Sequence, residues 1–523
     1  MDNKRNKIGL QSYEKAQAFL YKAIDYEKLI SYQYNASTFN LDRMVRMLEC
    51  VGNPHRAFPS VHITGTKGKG STSIMIATLL EHAGLKTGLF TSPHLVDLKE
   101  RIQLNHQNIS EDDFTDNLNE LRPYIQHLRE TSPSASPTFF EILTAVCMLY
   151  FKKKHIDMAV LEVGLGGRLD STNVVIPQVS IITNIGFDHT AILGNTLSSI
   201  AYEKAGIIKQ GIPVISAVED PEALAVIERV CKEKGATLYL LGRDIWIEEV
   251  RSVDGNGIAF CKHSQSSVHN PPRSPFRKGG RCSSSSPGEG KANTFDKGRI
   301  AEETRGLVCK IKTWRRTYDS IFLPLIGTHQ AKNCALAFGA LEILQDRGYV
   351  SMSDETIRNA LVQVHCPARI EIVGKEPLII LDYAHTVDSM RFLKNTLLEN
   401  FTYNKLLLIL GLAQDKDLDN ILQEIVTVAD FIMVTKSKNP RAALPRELYQ
   451  RVERLCGKQA KMFHTTQDAV VAAKQIASQD DLICITGSAY VAGEALQVLK
   501  ATTDFSDGLK RRQVRNGARN LHE

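Results

Sequence analysis

The chain has 523 residues, of which 43% are hydrophobic and 23% are charged. This length is too great for one ordinary hydrophobic core, so the sequence predicts a globular protein of two or three domains. No apolar run approaches the roughly 18 residues that cross a bilayer, and no apolar segment of a secretory signal follows the first five residues. We therefore expect no membrane association.

The net charge of +6 is concentrated in two segments. Residues 264–299 have a balance of +5 and residues 510–523 a balance of +4, which leaves −3 for the remainder. Because 264–299 also contains eight Ser, five Gly and four Pro, we predict a disordered insertion there and a basic disordered tail at 510–523. The predicted folded body is slightly acidic, so we expect no nucleic-acid partner; a binder acting through the two basic segments is the weakest alternative.

Ten cysteines are scattered along the chain, and none forms a Cys-x-x-Cys pair. Zinc ribbons and redox motifs are therefore not expected. Scattered free thiols suit a reducing compartment, and we expect a cytoplasmic protein.

Short apolar strands alternate with helical segments along the chain. The predicted strands of the first half are Val61–Thr64, Thr87–Phe90, Met158–Val163, Val179–Asn184, Val214–Ser216 and Leu238–Leu241. A helix is predicted over His329–Asp346, and a second set of strands follows at Leu378–Leu381, Lys405–Gly411, Phe431–Thr435 and Leu482–Thr486. This alternation predicts an α/β protein with mostly parallel sheets. We place an N-terminal domain at 1–365 and a smaller, Rossmann-like domain at 366–509.

A glycine-rich segment follows the first predicted strand and leads into a helix. It reads Gly65-Thr66-Lys67-Gly68-Lys69-Gly70-Ser71-Thr72. In a phosphate-binding loop, glycines let backbone N–H groups approach phosphate, a lysine supplies a cation, and a hydroxyl can contact Mg²⁺. Only two residues separate Gly65 from Gly68, so this is not the common eight-residue form. Strand, loop, Lys69 and Ser71 together nevertheless favour a site for a nucleoside triphosphate and Mg²⁺ over a plain tight turn, and predict a P-loop ATPase-like N-terminal domain.

Polar side chains follow the next two strands and a short helix. Glu162, at a strand end, could hold Mg²⁺ opposite Ser71, or it could be an ordinary surface acid. His189 could be a second metal ligand, although a lone histidine is more often structural. Lys204 could contact phosphate or, if carbamylated, bind metal, but the residues alone favour a plain surface lysine.

The second half repeats this placement of polar residues at element ends. Asn333 lies in the first turn of the long helix, Arg369 lies at the presumed hinge, and Asp382 and His385 follow the strand Leu378–Leu381. Each is unremarkable alone, since Asn333 could be a cap and Arg369 a surface residue. Their order predicts a cleft between two α/β domains.

From about residue 37 to residue 498 the chain resembles the folylpolyglutamate synthase/dihydrofolate synthase family, in the superfamily of the Mur amide ligases. The motifs that carry the resemblance are Gly65 to Ser71, Thr91-Ser92-Pro93-His94-Leu95, Thr138-Phe139-Phe140-Glu141, Glu162 to Asn173, Phe187-Asp188-His189, Glu203-Lys204-Ala205-Gly206, His329 to Asn333, Pro367-Ala368-Arg369, Asp382 to His385, Asp415-Lys416-Asp417 and Thr486-Gly487-Ser488.

This resemblance implies a role for each matching residue. Lys69 and the loop amides would hold the triphosphate, and Ser71, Glu162 and His189 would bind magnesium. Lys204 would be a carbamylated lysine that serves a second magnesium. The remaining roles are nucleotide binding by Asn333, Arg369 and Asp382 with His385 nearby, contact with the pterin or pteroate by Phe140 and Asp170, and a position near the incoming glutamate for Ser488.

Two departures from the family pattern concern charge and specificity. Lys67 stands where the family usually has Asn, which adds a cation to the loop. The run from Asp382 to Asp388 reads Asp-Tyr-Ala-His-Thr-Val-Asp, where the family usually has Asp-Gly-Ala-His-Asn-Pro. The run looks more like the Mur ligases, so it bears on which amino acid is added and not on the reaction class.

The resemblance implies an ATP-dependent ligase that adds L-glutamate to dihydropteroate, to the glutamate chain of folate, or to both, through an acyl phosphate. Phe140 and Asp170 favour both activities. One alternative is a Mur-type ligase acting on a UDP-muramoyl precursor, although only 64 residues precede Gly65 and leave little room for a UDP-binding domain. Another is a nucleotide switch that forms no bond. We expect small-molecule substrates and a monomer.

Overall fold

The computed structural model describes residues 9–29, 39, 41–132, 136–253, 259–260, 305–457 and 460–501. The insertion predicted at 264–299 and the tail predicted at 510–523 lie outside these residues. Within the described ranges, no helix combines the length and apolarity that a membrane crossing requires.

The larger sheet has eight strands. They are β1 (Ser60–Thr64), β2 (Thr87–Phe90), β3 (Ile102–Leu104), β4 (Gln107–Asn108), β5 (Met158–Glu162), β6 (Val179–Ile182), β7 (Val214–Ser216) and β8 (Leu238–Leu240). Their order is β4-β3-β2-β5-β1-β6-β7-β8. Strands β2, β5, β1, β6, β7 and β8 run parallel, whereas β3 and β4 form an antiparallel edge. Every residue of the central strands β1 and β5 is buried, as expected of parallel strands covered on both faces.

Helices cover both faces of this sheet. They are α1 (Tyr13–Leu20), α2 (Leu41–Glu49), α3 (Lys69–His82), α4 (Glu111–Thr131), α5 (Phe139–Lys153), α6 (Thr190–Leu193), α7 (Leu197–Ala205), α8 (Pro221–Glu233), α9 (His329–Asp346) and α10 (Asp354–Leu361). The first two pack with α4 and α5 in one core, and α3 packs with α9 and α10 in another. Helix α9 is buried nearly all round because apolar residues occur on every side of it.

A four-stranded antiparallel sheet packs against α9. Its strands are β9 (Trp246–Val253), β10 (Ala259–Phe260), β11 (Gly306–Lys312) and β12 (Thr317–Leu323), in the order β10-β9-β11-β12. Tyr318 of β12 stacks on Phe338 of α9 with ring centroids 3.9 Å apart. This stacking joins the small sheet to the core beneath the larger one.

The second domain is a six-stranded sheet. Its strands are β13 (Glu371–Lys375), β14 (Leu378–Leu381), β15 (Leu406–Leu410), β16 (Phe431–Val434), β17 (Ala460–Met462) and β18 (Leu482–Thr486), in the order β13-β14-β18-β15-β16-β17. Only β13 pairs in the antiparallel sense. Helices α11 (Val387–Asn400), α12 (Leu418–Ile425), α13 (Pro445–Cys456), α14 (Thr466–Ile476) and helix 489–501 accompany it.

The fold class predicted from the sequence is confirmed. Each predicted strand is present with its ends within two residues of the observed ones; for example, Val179–Asn184 stops at Ile182. The sequence also predicts strands at 257–260 and 307–311, on either side of the insertion, and β10 and β11 lie there. The strands that the sequence missed are β3, β4, β9, β12, β13 and β17. Most of these strands are short or lie at the edge of a sheet. Strand β9 carries the adjacent charged residues Glu248 and Glu249, which interrupt its apolar pattern.

Candidate active site

The loop from Gly65 to Gly68 joins β1 to α3. Gly68 has φ of +82°, and an added Cβ there would overlap the side-chain oxygen of Asn333. At Gly65 an added Cβ would overlap the hydroxyl of Thr183. Glycine is therefore required at both positions, by backbone conformation at Gly68 and by close approach at both. Helix α3 begins at once with Lys69, so its unpaired backbone N–H groups face the loop.

Two lysines converge on one carbonyl oxygen of this loop. Lys69 Nζ donates to the Gly65 carbonyl oxygen at 3.1 Å, and Lys204 Nζ, from α7, donates to the same oxygen at 2.9 Å. Lys204 is only 4% exposed, so it is not the plain surface lysine that the residues alone favoured. Burial, helped by the charge of Lys69, lowers the pKa of Lys204 to about 7. A substantial fraction of this amine is therefore neutral and nucleophilic near neutral pH.

Glu162 is a buried carboxylate at the end of β5. Its Oε2 accepts a hydrogen bond from the backbone N–H of Ser92 at 3.2 Å, and among the described residues no salt bridge reaches it. Burial raises its pKa, although the charge of Lys69 opposes this. The carboxylate lies beside the first turn of α3, 3.5 Å from where a Cβ of Gly70 would stand. A cation bound here would therefore stabilise the charged form of this buried carboxylate.

His189 follows β6 and begins helix α6 with φ of +51°. Burial lowers the pKa of its imidazole well below the usual value, while the Asp188 charge acts in the opposite sense. The ring is therefore neutral, which is the form that binds a metal. Among the described residues, no three His, Cys, Asp or Glu side chains gather as a preformed metal centre.

The second domain contributes a compact polar group next to the loop. The guanidinium of Arg369 lies over the ring of Tyr383, 3.8 Å from its centroid. Asp382 accepts hydrogen bonds from the backbone N–H groups of Ala384 at 2.6 Å and Ile370 at 3.2 Å. These contacts hold residues 369–370, at the hinge, against residues 382–384, which follow β14.

Asp188 joins the two domains. Its Oδ2 accepts from Lys67 Nζ at 3.0 Å, and its Oδ1 accepts from Lys416 Nζ at 2.8 Å. His385 Nε2 lies 3.7 Å from Oδ2 and 3.2 Å from Lys67 Nζ. The sequence assigned no role to Asp188 or Lys416, although both belong to quoted motifs, because their pairing spans 228 positions.

These groups surround a cavity of about 280 Å³. The predicted site residues that line it are Gly65, Thr66, Lys67, Gly68, Lys69, Gly70, Phe140, Glu162, Asp170, His189, Lys204, Arg369, His385 and Ser488. Asn333, Asp382 and Thr72 are buried beside it without lining it. Ser71 lines an adjoining cavity of about 830 Å³ that shares Gly70, Glu162 and Arg369 with the first.

The predicted substrate residues differ in how free they are. Phe140 lines the cavity, with its ring against Gly164 and Phe90. Asp170 is committed to its own loop, because its oxygens accept from the backbone N–H groups of Gly164 and Leu165 at 3.1 and 3.0 Å and from Thr172. The geometry therefore gives Asp170 a loop-ordering role beside any contact with a ligand.

Several cavity residues had no signal in the sequence. Arg441 donates to the backbone carbonyl of Glu27 at 3.1 Å and pairs with Asp415. Glu27 in turn receives both terminal nitrogens of the buried Arg101, at 2.7 and 2.6 Å. This chain of contacts fixes a segment from near the N-terminus in the cavity wall. The partners come from distant parts of the chain, so no local motif marks them.

Two domain families match the chain. They are the Mur ligase middle domain, over residues 63–269, and the glutamate ligase domain of the Mur ligases, over residues 368–489. The dihydrofolate synthase/folylpolyglutamate synthase of Bacillus subtilis is 33% identical over 461 residues, which are 88% of this chain and 95% of that protein.

Solved structures give the same relationship. Folylpolyglutamate synthase of Mycobacterium tuberculosis complexed with ADP superposes with a TM-score of 0.77 at 25% identity, covering 93% of this chain and 98% of that one. A folylpolyglutamate synthase complex with AMPPCP and folate superposes with a TM-score of 0.72 at 26% identity, covering 93% and 99%. The chain belongs to the folylpolyglutamate synthase/dihydrofolate synthase family.

Proposed function

We propose that this protein is an ATP-dependent ligase that forms an amide bond between L-glutamate and the carboxylate of dihydropteroate, of a folate glutamate chain, or of both. The observation that carries the proposal is the single cavity in which Lys69 and Glu162 of the first domain face Lys416 and Ser488 of the second. Relatives with ADP and with AMPPCP bound support the use of ATP.

The phosphate loop would hold the triphosphate. Phosphate oxygens would accept hydrogen bonds from backbone N–H groups at the start of α3 and from the ammonium of Lys69. Lys69 would then give up its present contact with the Gly65 carbonyl. Arg369, Asp382 and Asn333, with His385, would hold the rest of the nucleotide from the hinge side. Since the nucleotide would then touch both domains, its binding favours their closed arrangement.

The side chains near the loop fit Mg²⁺. A hydroxyl from Ser71 and the carboxylate of Glu162 are hard oxygen ligands, and Mg²⁺ is usually held by one or two carboxylates together with phosphate oxygens. The neutral imidazole of His189 would complete this ligand set, and a carbamylated Lys204 would serve a second Mg²⁺. The lowered pKa of Lys204 favours carbamylation because only the neutral amine reacts with CO₂. When bound, the metal would neutralise charge on the transferred phosphoryl group.

The residues divide the reaction into two steps. The acceptor carboxylate would attack the γ-phosphorus of ATP, giving an acyl phosphate and ADP, with Lys69 stabilising the charge on the moving phosphoryl group. The amine of L-glutamate would then attack the acyl carbon and expel phosphate. Phe140 would contact the pterin or pteroate beside the loop ordered by Asp170, and Ser488 would lie near L-glutamate. Closure of both domains around the cavity would exclude water from the acyl phosphate.

The test is phosphate release from Mg·ATP and L-glutamate with dihydropteroate, tetrahydrofolate or a UDP-muramoyl peptide added separately. We expect stimulation by one or both of the pterin compounds, with ADP as the nucleotide product. Transfer of ¹⁸O from a labelled acceptor carboxylate to phosphate would identify the acyl phosphate. Stimulation by the UDP compound alone would establish the Mur-type alternative, and hydrolysis indifferent to every acceptor would establish the switch.

Matched variants locate the chemistry. Lys69→Ala and Glu162→Ala should each abolish ligation in a folded protein. Lys153→Ala is the control, because among the described residues Lys153 makes a surface pair with Glu120, and such pairs contribute little. Full turnover in either loop-site variant would refute the assignment of that residue.

A further inference from the structure

Asp188 is the carboxylate on which charges from both domains meet. Lys67 belongs to the phosphate loop, whereas Lys416 and His385 belong to the second domain. Asp188 of the first domain pairs with Lys416 of the second at 2.8 Å, away from the hinge. At the hinge itself, His365 of the first domain pairs with Glu371 of the second at 2.9 Å. The contact of Arg441 with the Glu27 carbonyl, by comparison, is a hydrogen bond to a neutral group.

Asp188 and Lys416 are both largely buried, so their charges interact with little screening by water. The Asp188 side chain is 9% exposed and that of Lys416 is 11% exposed. Burial alone would raise the pKa of Asp188, but the ammonium groups of Lys67 and Lys416 outweigh it and hold the pKa well below its usual range. Burial and the charge of Lys67 lower the pKa of His385 to about 4, so that ring is neutral. One carboxylate charge is therefore shared by two ammonium groups.

Lys67 is also tied to the loop that would receive phosphate. Its backbone N–H donates to Asn184 Oδ1 at 2.7 Å, and its carbonyl accepts from the Thr183 hydroxyl at 2.5 Å. The side chain lines the same cavity as Lys69. Phosphate oxygens in that cavity would compete with Asp188 for the Lys67 ammonium, since both are anionic acceptors.

We propose that Asp188 is a positioning residue that couples nucleotide binding at the phosphate loop to docking of the second domain, through Lys67 and Lys416. Without nucleotide, Asp188 divides its charge between the two lysines. When phosphate draws Lys67 away, Asp188 binds Lys416 alone, and the second domain is held more firmly over the cavity. The coupling rests on the proposed nucleotide site and predicts that L-glutamate binds better after ATP.

Hydrogen exchange measured by mass spectrometry separates the two sites. In the wild type, AMPPCP with Mg²⁺ should slow exchange at residues 65–72 and at residues 413–417. Asp188→Asn should keep the first effect and lose the second. Lys67→Asn should show slow exchange at 413–417 even without nucleotide, because Asp188 is then already committed to Lys416. Asp419→Asn, which removes surface pairs with Arg451 and Arg454 inside the second domain, should behave as the wild type.

Kinetics supply the second readout. Asp188→Asn should raise KM for L-glutamate about tenfold with little change in KM for ATP, and adding Lys416→Met should cost little more, because both changes break one interaction. Asp188→Glu should restore part of the affinity. Nucleotide-dependent protection of 413–417 that persists in Asp188→Asn would overturn the coupling. Absence of protection at 65–72 in the wild type would overturn the nucleotide site itself, and the coupling with it.

Discussion

Gly493 is a position at which one methyl group should separate the two domains. It lies on helix 489–501 of the second domain, against the backbone of Leu95 in the first. An added Cβ would overlap the Leu95 carbonyl oxygen and stand 2.6 Å from the carbonyl carbon, where ordinary contact begins at 3.4 Å, so the helix must retreat by at least about 0.8 Å. Neither partner is a flexible side chain that could turn away. Within the helix itself, alanine is favoured over glycine by about 1 kcal/mol.

The Gly493→Ala variant should therefore fold and dock incorrectly. A misplacement of about 1 Å at a reacting centre can cost on the order of 100-fold in rate, and we expect a loss of that size in ligation. AMPPCP affinity should fall less than the ligation rate, because the proposed phosphate loop lies on the first domain and only the contacts from Arg369, Asp382 and His385 would be displaced. Small-angle scattering with AMPPCP bound should show a larger radius of gyration than in the wild type.

Gly457→Ala is the control for this experiment. Gly457 ends α13 with φ of +60°, and an added Cβ there meets no atom within 4 Å. The substitution carries backbone strain without interdomain overlap, so ligation should be nearly unchanged. A Gly493→Ala enzyme with wild-type turnover and scattering would refute the argument that this contact sets the position of the second domain.

Three further changes test other parts of the structure. Arg101→Met leaves the Glu27 carboxylate without its bidentate partner and should cost about 3 kcal/mol in urea denaturation, with Glu27→Gln as a second substitution that recovers part of it. Gly68→Ala forces a side chain into φ of +82° and against Asn333, so AMPPCP affinity measured by calorimetry should fall about tenfold or more; unchanged affinity would contradict the loop geometry. Burial lowers the pKa of His62 to about 3, so between pH 6.5 and pH 3 this histidine is protonated in the unfolded chain but not in the folded one. The free energy of unfolding should therefore fall as the pH drops below 6.5, by about 2 kcal/mol at pH 5. His62→Gln should remove this part of the acid sensitivity, and an unaltered difference in unfolding free energy between pH 7 and pH 5 would exclude it.

The sequence by itself determined the fold class and the location of the glycine-rich loop for which we propose phosphate binding. Both rest on local patterns. Fully buried parallel strands such as β5 appear in the sequence as nearly continuous apolar runs, and the loop appears as glycines and Lys69 between a strand and a helix. Such signals survive without knowledge of neighbours, because each depends on residues close in the chain.

Tertiary structure alone decided which groups meet. It buries Lys204 and places its amine on the Gly65 carbonyl 139 positions away, where burial and Lys69 lower its pKa to about 7. It commits the oxygens of Asp170 to their own loop and brings Lys416 to Asp188 across the domain boundary. Burial, pKa and ion pairing depend on what packs around a side chain, and that environment is assembled from distant segments which no local pattern records.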